Sequence, residues 1–269
     1  MTSWPLAGRV AVVTGVSRRR GIGFAIASRL AGMGASLFVQ HLVAHDVDQP
    51  YGADRIDDVL AALREQLADD ARLENMSLDL AAPDAGETLI DAARSVSGHL
   101  DILVCNHARS GGDGELGQLS ADLLDGYWQV NTRSTLLATK AFAAQHDGRP
   151  GGRVVWMTSG QQLGAMRDEI AYATSKAALA GVTASVADGL IEQGIILNTV
   201  NPGPVNTGYL DEVGGDRPLE VIQAVQRQFP AGRFGEPDDP ARLIAWLVSD
   251  EGRWVVGQVI NSEGGFRRW

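Results

Sequence analysis

Seven short apolar runs rich in β-branched residues, spread from one end of the chain to the other, constrain the fold more than any other feature. They cover residues 10–14, 37–40, 73–78, 102–105, 154–157, 195–200 and 259–261, the third being the weakest. Within each run apolar residues follow one another instead of alternating with polar ones, as in parallel strands covered on both faces. Helical periodicities fill the intervals, over 22–33, 56–69, 87–96, 121–145, 171–193 and 240–247. Strand–helix alternation of this kind predicts an α/β fold, a doubly wound parallel sheet with right-handed crossovers and helices on both faces. No linker, repeat or low-complexity tract divides the 269 residues, so 1–269 reads as a single domain.

Two long irregular segments interrupt the alternation, 41–55 and 206–234. The first follows the second strand, where a dinucleotide's ribose would lie; a surface insertion without a role is the alternative reading. The second follows a late strand, at the carboxyl edge of the sheet where substrates bind, and is the candidate substrate loop.

Composition narrows the function. The formal net charge of −10 disfavours nonspecific binding to nucleic acid or to an anionic membrane. The lone cysteine, Cys105, excludes an internal disulfide framework and suits a reducing cytoplasm. No stretch approaches the ~20 apolar residues of a membrane span. The opening MTSWPLAGRV lacks a signal-peptide pattern, its apolar run being the first strand. The five histidines are scattered, without HExxH or CxxC spacing, so no metal is expected.

Between the first strand and the first helix the chain reads TGVSRRRGIG, Thr14 to Gly23. Gly15, Gly21 and Gly23 would let the backbone approach a pyrophosphate, and the helix opening at Ile22 supplies free N–H groups and a positive dipole. Dinucleotide folds that prefer NAD place an acid at the end of the second strand; here it ends Phe38-Val39-Gln40-His41. A missing acid with arginines in the first turn fits a 2′-phosphate held by guanidinium, and hence NADP(H), with Arg18 and Arg20 as its candidate ligands. Asp46 and Asp48 weigh against this, since either could fold back onto a ribose. A nucleic-acid patch is the weaker reading of three arginines without interleaved aromatics in an acidic protein; a solvated loop is the plain one.

Farther on, Tyr172 and Lys176 lie four apart at the start of a helical pattern, so they share a face. A phenol with a pKa near ~10 is a poor acid–base catalyst at neutral pH, and a neighbouring ammonium lowers it. Ser159, at a strand end, could hold a carbonyl oxygen. YxxxK alone occurs by chance in many helices, so the case rests on order and spacing together.

Those ordered pieces resemble the short-chain dehydrogenase/reductase family over nearly the whole chain. They are the TG…GIG turn, Asp79-Leu80, the strand ending VCNHA, Asn131 in QVNTRS, Ser159, Tyr172-Ala-Thr-Ser-Lys176, NPGPVNTG from Asn201, GRFGEP from Gly232 and GQVINSEGG from Gly257. The resemblance implies a single-domain Rossmann-type fold and specific roles. Tyr172 would be the general acid in reduction, Lys176 would hold the nicotinamide ribose and depress the tyrosine pKa, Ser159 would orient the substrate oxygen, and Asn131 would anchor a water. Asp79 and Leu80 would face the adenine. Pro202, Gly203, Val205 and Thr207 would wrap the nicotinamide. Gly15, Ser17, Arg18, Arg20, Gly21, Ile22, His41, Asn106 and Ala108 would complete the cofactor site.

The chain also departs from the family. Five residues separate Gly15 from Gly21 where the family has three, and NNAG is replaced by Cys105-Asn106-His107-Ala108, which would aim His107 towards the substrate. These features are similar to a divergent branch near bacterial 3-oxoacyl-carrier-protein reductases. The expanded turn also resembles that of bacterial enoyl-thioester reductases, whose tyrosine and lysine are separated by six residues; seven after Tyr172 stands Leu179. A carbonyl-reducing, NADPH-dependent enzyme is therefore expected, acting on a small ketone or a 3-oxoacyl thioester. A catalytically idle NADP(H)-binding sensor or scaffold is the alternative. The resemblance further implies a homodimer or homotetramer, with the aromatic C-terminus, Phe266 and Trp269, as candidate subunit contacts.

Overall fold

The computed structural model describes residues 4–96 and 98–268; the N-terminal residues 1–3 and Trp269, drawn on above, lie outside the described residues. All seven apolar runs are strands: β1 (Val10–Thr14), β2 (Ser36–His41), β3 (Leu73–Ser77), β4 (Ile102–Cys105), β5 (Gly152–Met157), β6 (Ile195–Asn201) and β7 (Val259–Asn261). They form one parallel sheet in the order β3-β2-β1-β4-β5-β6-β7. The order reverses between β1 and β4, which opens a crevice at the carboxyl ends of those strands, where doubly wound sheets bind ligands.

The helices are α1 (Ile22–Gly32), α2 (Val43–Val47), α3 (Ile56–Arg64), α4 (Ala85–Arg94), α5 (Ala121–Tyr127), α6 (Ser134–Gln145), α7 (Ile170–Ile191), α8 (Leu219–Arg227) and α9 (Asp238–Val248). Side chains alternate between the two faces of each strand, which builds two cores. Ala11, Val13, Leu37 and Val39 pack with Ile26 and Leu30 of α1, Val59 and Leu63 of α3 and Ile244 of α9. Val10, Val12 and Phe38 pack on the opposite face with Leu89 of α4, Phe142 of α6 and Leu179 of α7. Each fully buried Leu or Ile contributes roughly 1.5–3 kcal/mol of transfer free energy.

The structure refines the elements expected from the sequence in four places. Segment 41–55 carries α2, and segment 206–234 carries α8. The helix expected over 56–69 stops at Arg64, where Gln66 and Leu67 donate three residues back to Leu63 and Arg64 and tighten the chain into turns. The helix expected over 121–145 is broken by a π-helical stretch, Trp128–Arg133. There Asn131 and Thr132 both turn their polar atoms towards Ser175 of α7, and the extra residue in the turn makes that possible.

Candidate active site

The glycine turn is packed from three strand ends. Gly15 has φ +72°, a left-handed conformation that favours glycine. A Cβ on Gly23 would stand 2.3 Å from the Gly15 carbonyl oxygen and 2.7 Å from Asn106 Nδ2. Asn106 donates from Nδ2 to the carbonyls of Thr14 (3.1 Å) and Gly15 (3.2 Å), tying the end of β4 to the turn. From β2, Gln40 Oε1 accepts the Gly15 N–H at 3.0 Å, and its Nε2 donates to the Leu78 carbonyl at 2.7 Å. Gln40 thus occupies the place that an acid holds in NAD-preferring folds, and it serves the turn itself. Gly21 is the residue before α1 and makes no side-chain cap, so the first N–H groups of that helix are left to an incoming ligand.

The three arginines point three ways. Arg18 donates from Nη2 to the Thr207 carbonyl at 2.7 Å, and its guanidinium lies 4.3 Å from the Tyr51 ring centroid. Arg20 grips Asp211 with both terminal nitrogens, at 2.8 and 3.0 Å. The Arg19 N–H donates to Asp54 at 2.7 Å. The expanded turn is therefore braced against both irregular segments. Asp46 does fold back on the turn: it is buried beside Ser17, whose hydroxyl donates to it, and burial raises its pKa.

His41, at the end of β2, is buried, with Nε2 3.2 Å from Asn75 Oδ1 and Nδ1 without a hydrogen-bond partner among the described residues. Asp79 is exposed and holds its own turn by accepting the Ala81 N–H at 2.8 Å, while Leu80 is buried. Ala108 is half-buried next to Asn106. Past β6, the Gly203 N–H donates to Asn201 Oδ1 at 3.0 Å, and Val205 is buried in a parallel bridge with Gly235. Pro202 and Thr207 are half-buried on either side.

His107 corrects an expectation. Its Nδ1 lies 2.7 Å from the Thr14 hydroxyl, and its Nε2 is 2.7 Å from Ser134 Oγ and 3.0 Å from the Val130 carbonyl. The carbonyl accepts, so Nε2 carries the proton and Nδ1 receives the threonine hydroxyl. Burial, with the Lys176 ammonium adding to it, lowers the imidazole to about 3. His107 is a neutral structural cross-brace and does not face the substrate.

The catalytic candidates meet at the carboxyl end of β5 and the first turns of α7. Asn131 is fully buried; its Nδ2 donates to Ser175 Oγ (2.9 Å) and the Arg109 carbonyl (3.2 Å), and its Oδ1 accepts the Arg109 N–H (2.7 Å). Lys176 is buried and donates from Nζ to the Met157 carbonyl at 3.0 Å, while the Thr158 hydroxyl donates to the Lys176 carbonyl at 2.8 Å. Ser159 follows directly and accepts the Gln161 N–H at 3.5 Å. Lys176 Nζ is 6.0 Å from the Tyr172 ring centroid.

Electrostatics here run against the expected tyrosine activation. Burial raises the Tyr172 phenol above its ordinary range, with Glu169 and Tyr127 adding to the rise, and the ammonium does not offset it. Burial also lowers Lys176 to about 8. The Tyr209 phenol is raised by burial, with Tyr172 and Glu169 contributing, so two phenols and a carboxylate share one neighbourhood. Glu169 is itself held by Arg217 and Gln161. Tyr209 lies in the 206–234 loop that the sequence marks for the substrate, whereas Arg217, Gln40 and Tyr127 are not legible there: Gln40 is not the acid that strand end calls for, and Arg217 and Tyr127 carry no spacing that links them to Tyr172. A separate cavity of about 940 Å³ lies along α1 and the start of α9, lined by Arg20, Phe24, Arg29, Phe234 and Asp238; none of Asn131, Ser159, Tyr172 and Lys176 lines it.

A glycine turn at the switch point of a parallel sheet, with a Tyr–Lys pair across the crevice, defines a dinucleotide-dependent oxidoreductase fold. The chain belongs to the short-chain dehydrogenase/reductase family: the family model described as Enoyl-(Acyl carrier protein) reductase matches residues 15–267. It is 36% identical over 262 residues to the uncharacterized oxidoreductase YjdA of Bacillus subtilis, covering 97% of each chain. It is 34% identical over 269 residues to an NADPH-dependent aldehyde reductase-like chloroplastic protein of Arabidopsis thaliana, covering 97% of this chain and 95% of that one. Its fold matches the angucycline C-6 ketoreductase LanV with bound NADP at a TM-score of 0.80 and 26% identity, over 97% of this chain and 96% of that one.

Proposed function

We infer that the protein is an NADP(H)-dependent oxidoreductase that reduces a ketone or aldehyde to an alcohol, or runs the reverse, with Tyr172 as the proton donor. The observation that carries this reading is the junction of β5 and α7, where Ser175 Oγ joins the Asn131 amide to the Tyr172 carbonyl, Lys176 is tied to Met157 and Thr158, and Ser159 follows next in the chain. A protein that only bound nucleotide would have no use for a phenol held there. The relatives named for NADPH-dependent aldehyde reduction and for ketoreduction with NADP point the same way. The separation of Tyr172 from Lys176 favours carbonyl over enoyl reduction, despite the description of the matching family model.

The residues present fit the cofactor. Glycine at 15, with φ +72°, and at 23, where a Cβ would meet the Gly15 carbonyl, keeps the turn tight on the strand ends, the N-terminus of α1 has no side-chain cap, and His41 Nδ1 is a buried polar atom with no hydrogen-bond partner among the described residues. Gly15, Ser17, Gly21 and Ile22 would seat the pyrophosphate, and His41, Asp79, Leu80, Asn106 and Ala108 would surround the adenosine. Arg18 and Arg20 would serve the 2′-phosphate by exchanging Thr207 and Asp211 for it. Pro202, Gly203, Val205 and Thr207 would border the nicotinamide. When bound, the cofactor supplies or accepts the hydride.

The chain's own groups do the rest. Ser159 donates its hydroxyl to the substrate oxygen, Tyr172 delivers the proton to that oxygen, and the burial that keeps its phenol protonated suits the reducing direction. Lys176 holds its proton below about pH 8 and supplies positive charge beside the phenol. The segment 206–234, with Tyr209 beside Tyr172, closes over the substrate. A panel of aldehydes, ketones and 3-oxoacyl thioesters, followed by oxidation of NADPH and of NADH, tests the reading. Turnover should fall by about 10³-fold or more in Tyr172→Phe with cofactor affinity unchanged, the scale of losing a general acid and its oriented hydrogen bond together. Binding of NADPH without turnover of any substrate, unaltered by Tyr172→Phe, would establish a sensor instead.

A further inference from the structure

The helix that carries Tyr172 begins without a cap of its own. Glu169, the residue before α7, makes no side-chain bond to the first turn, and its carboxylate is committed to Arg217 and Gln161. The N–H groups of a first helical turn have no partner within the helix and must find one elsewhere. Here the partner comes from 59 residues upstream. Asp113 Oδ2 accepts the N–H of Tyr172 itself at 2.7 Å, and Oδ1 accepts the N–H of Ala171 at 3.1 Å. Charge-assisted bonds to a helix N-terminus are short and directional, and they act on the backbone atom next to the Tyr172 side chain.

The segment that delivers Asp113 also grips the rest of the site. Arg109 exchanges two backbone hydrogen bonds with the Asn131 amide, at 2.7 and 3.2 Å. The Gly111 carbonyl accepts the Tyr127 hydroxyl at 2.6 Å, and the Tyr127 ring meets the Tyr172 ring edge-on, centroids 6.2 Å apart at 83°. Gly111 and Gly112, at φ +78° and +69°, make the reversal that brings Asp113 back to α7. One five-residue clasp, 109–113, therefore holds Asn131 by its amide and Tyr172 by its main chain, with Tyr127 braced against the ring.

Resting on the assignment of Tyr172 as the proton donor, we propose that Asp113 is a positioning residue for the reaction, setting where the Tyr172 hydroxyl stands by anchoring its backbone N–H. Asp113→Ala frees the first turn of α7 and lets the phenol move relative to the substrate oxygen. A displacement on the scale of 1 Å costs about 100-fold in rate, so kcat should fall by about 10- to 100-fold while the Kd for NADPH changes less than twofold. Asp113→Asn keeps one acceptor oxygen and should recover an intermediate kcat. It also serves as the folded variant if the alanine form is unstable.

The measurement is kcat, KM and NADPH affinity for the three variants Asp113→Ala, Asp113→Asn and Tyr172→Phe, each below its own melting temperature. If Asp113→Ala, or Asp113→Asn in its place, melts earlier but turns over at the parent rate, Asp113 is only a helix cap and the proposal is overturned. A raised KM at unchanged kcat overturns it as well. If Tyr172→Phe retains activity, the proton-donor assignment fails and takes the positioning role with it. An inactive Tyr172→Phe beside a fully active Asp113→Ala removes the positioning role alone.

Discussion

Two regions of this molecule hold polar and charged groups in place by hydrogen bonds, and they do so under opposite conditions. Around the start of α7, Lys176 and the facing Asn131 of the π-helical stretch are 2% and 0% exposed, and their bonds run to backbone atoms and hydroxyls. At the glycine turn, the side chains of Arg19 and Arg20 are 56% and 59% exposed and pair with carboxylates on loops. A buried polar atom that loses its partner costs the full desolvation penalty of that atom, about 1–3 kcal/mol and more if charged. An exposed ion pair contributes about 0–1 kcal/mol and is readily exchanged. The first region is thus fixed by its surroundings, and the second can trade partners. A turn of that second kind can absorb two extra residues; the Tyr172–Lys176 spacing has no such slack.

The largest test of this contrast falls at the floor of the glycine turn, which the end of β4 anchors. Gly23 abuts the Gly15 carbonyl and Asn106, both backbone-anchored, so Gly23→Ala has nowhere to put its methyl. The strain should reach about 3 kcal/mol, the upper end of overpacking costs, or roughly 100-fold in NADPH binding. Fluorescence titration with NADPH alongside thermal melting checks it. Unchanged affinity would mean that the floor of the glycine turn is as adaptable as its arginine rim.

A second test separates stability from chemistry at Lys176. Its folded pKa of about 8 lies below the ordinary lysine value of 10.5, so between those pH values the unfolded chain binds more protons and stability rises with pH. Below about pH 8 the full penalty of the buried ammonium applies. Lys176→Met should therefore be inactive yet more stable at pH 7 by about 1–3 kcal/mol, since replacing a buried charge with an apolar chain is often stabilising. That gain should shrink as pH approaches 10.5. Urea melts at pH 7 and pH 10 read both the sign and the trend, and a loss of stability at both pH values would show that the Met157 contact outweighs desolvation.

The same contrast explains what the sequence disclosed. Strands β1, β4 and β6 are buried along their whole length, and both-face burial is what turns a strand into an unbroken apolar run. β3, at the sheet edge, has Glu74, Asn75 and Ser77 exposed, which is why its run was the weakest. Tyr172 and Lys176 were legible because one helical turn relates them. Asp113 was not: its bonds to α7 span 58 and 59 residues, and within GGDGE it has the look of any turn acid. The π-helical break at Asn131 was equally hidden, because contacts with Ser175 and Arg109 decide it and local propensity does not. His107 misled for the converse reason. Its position beside Asn106 implied the crevice, while the side chain turns inward to Thr14 and Ser134.

The smallest expected effect is the one that bears most directly on the arginines. Arg20 is bound by Asp211 on two exposed contacts, and Arg18 lies between the Thr207 carbonyl and the Tyr51 ring. If both exchange these partners for a 2′-phosphate, Arg18→Ala with Arg20→Ala should raise the KM for NADPH about 10-fold more than that for NADH, the worth of a charge-assisted hydrogen bond in a partly solvated site. Asp211→Asn frees Arg20 without removing it. It should lower the KM for NADPH slightly and leave NADH unmoved, because the competing carboxylate is gone. Equal shifts for both cofactors in both variants would assign the arginines to bracing the 206–234 segment against the turn. In the single variant Arg20→Ala, whose only partner among the described residues is the exposed Asp211 pair, a 100-fold loss would overturn the comparison instead, since one exchangeable surface contact contributes far less.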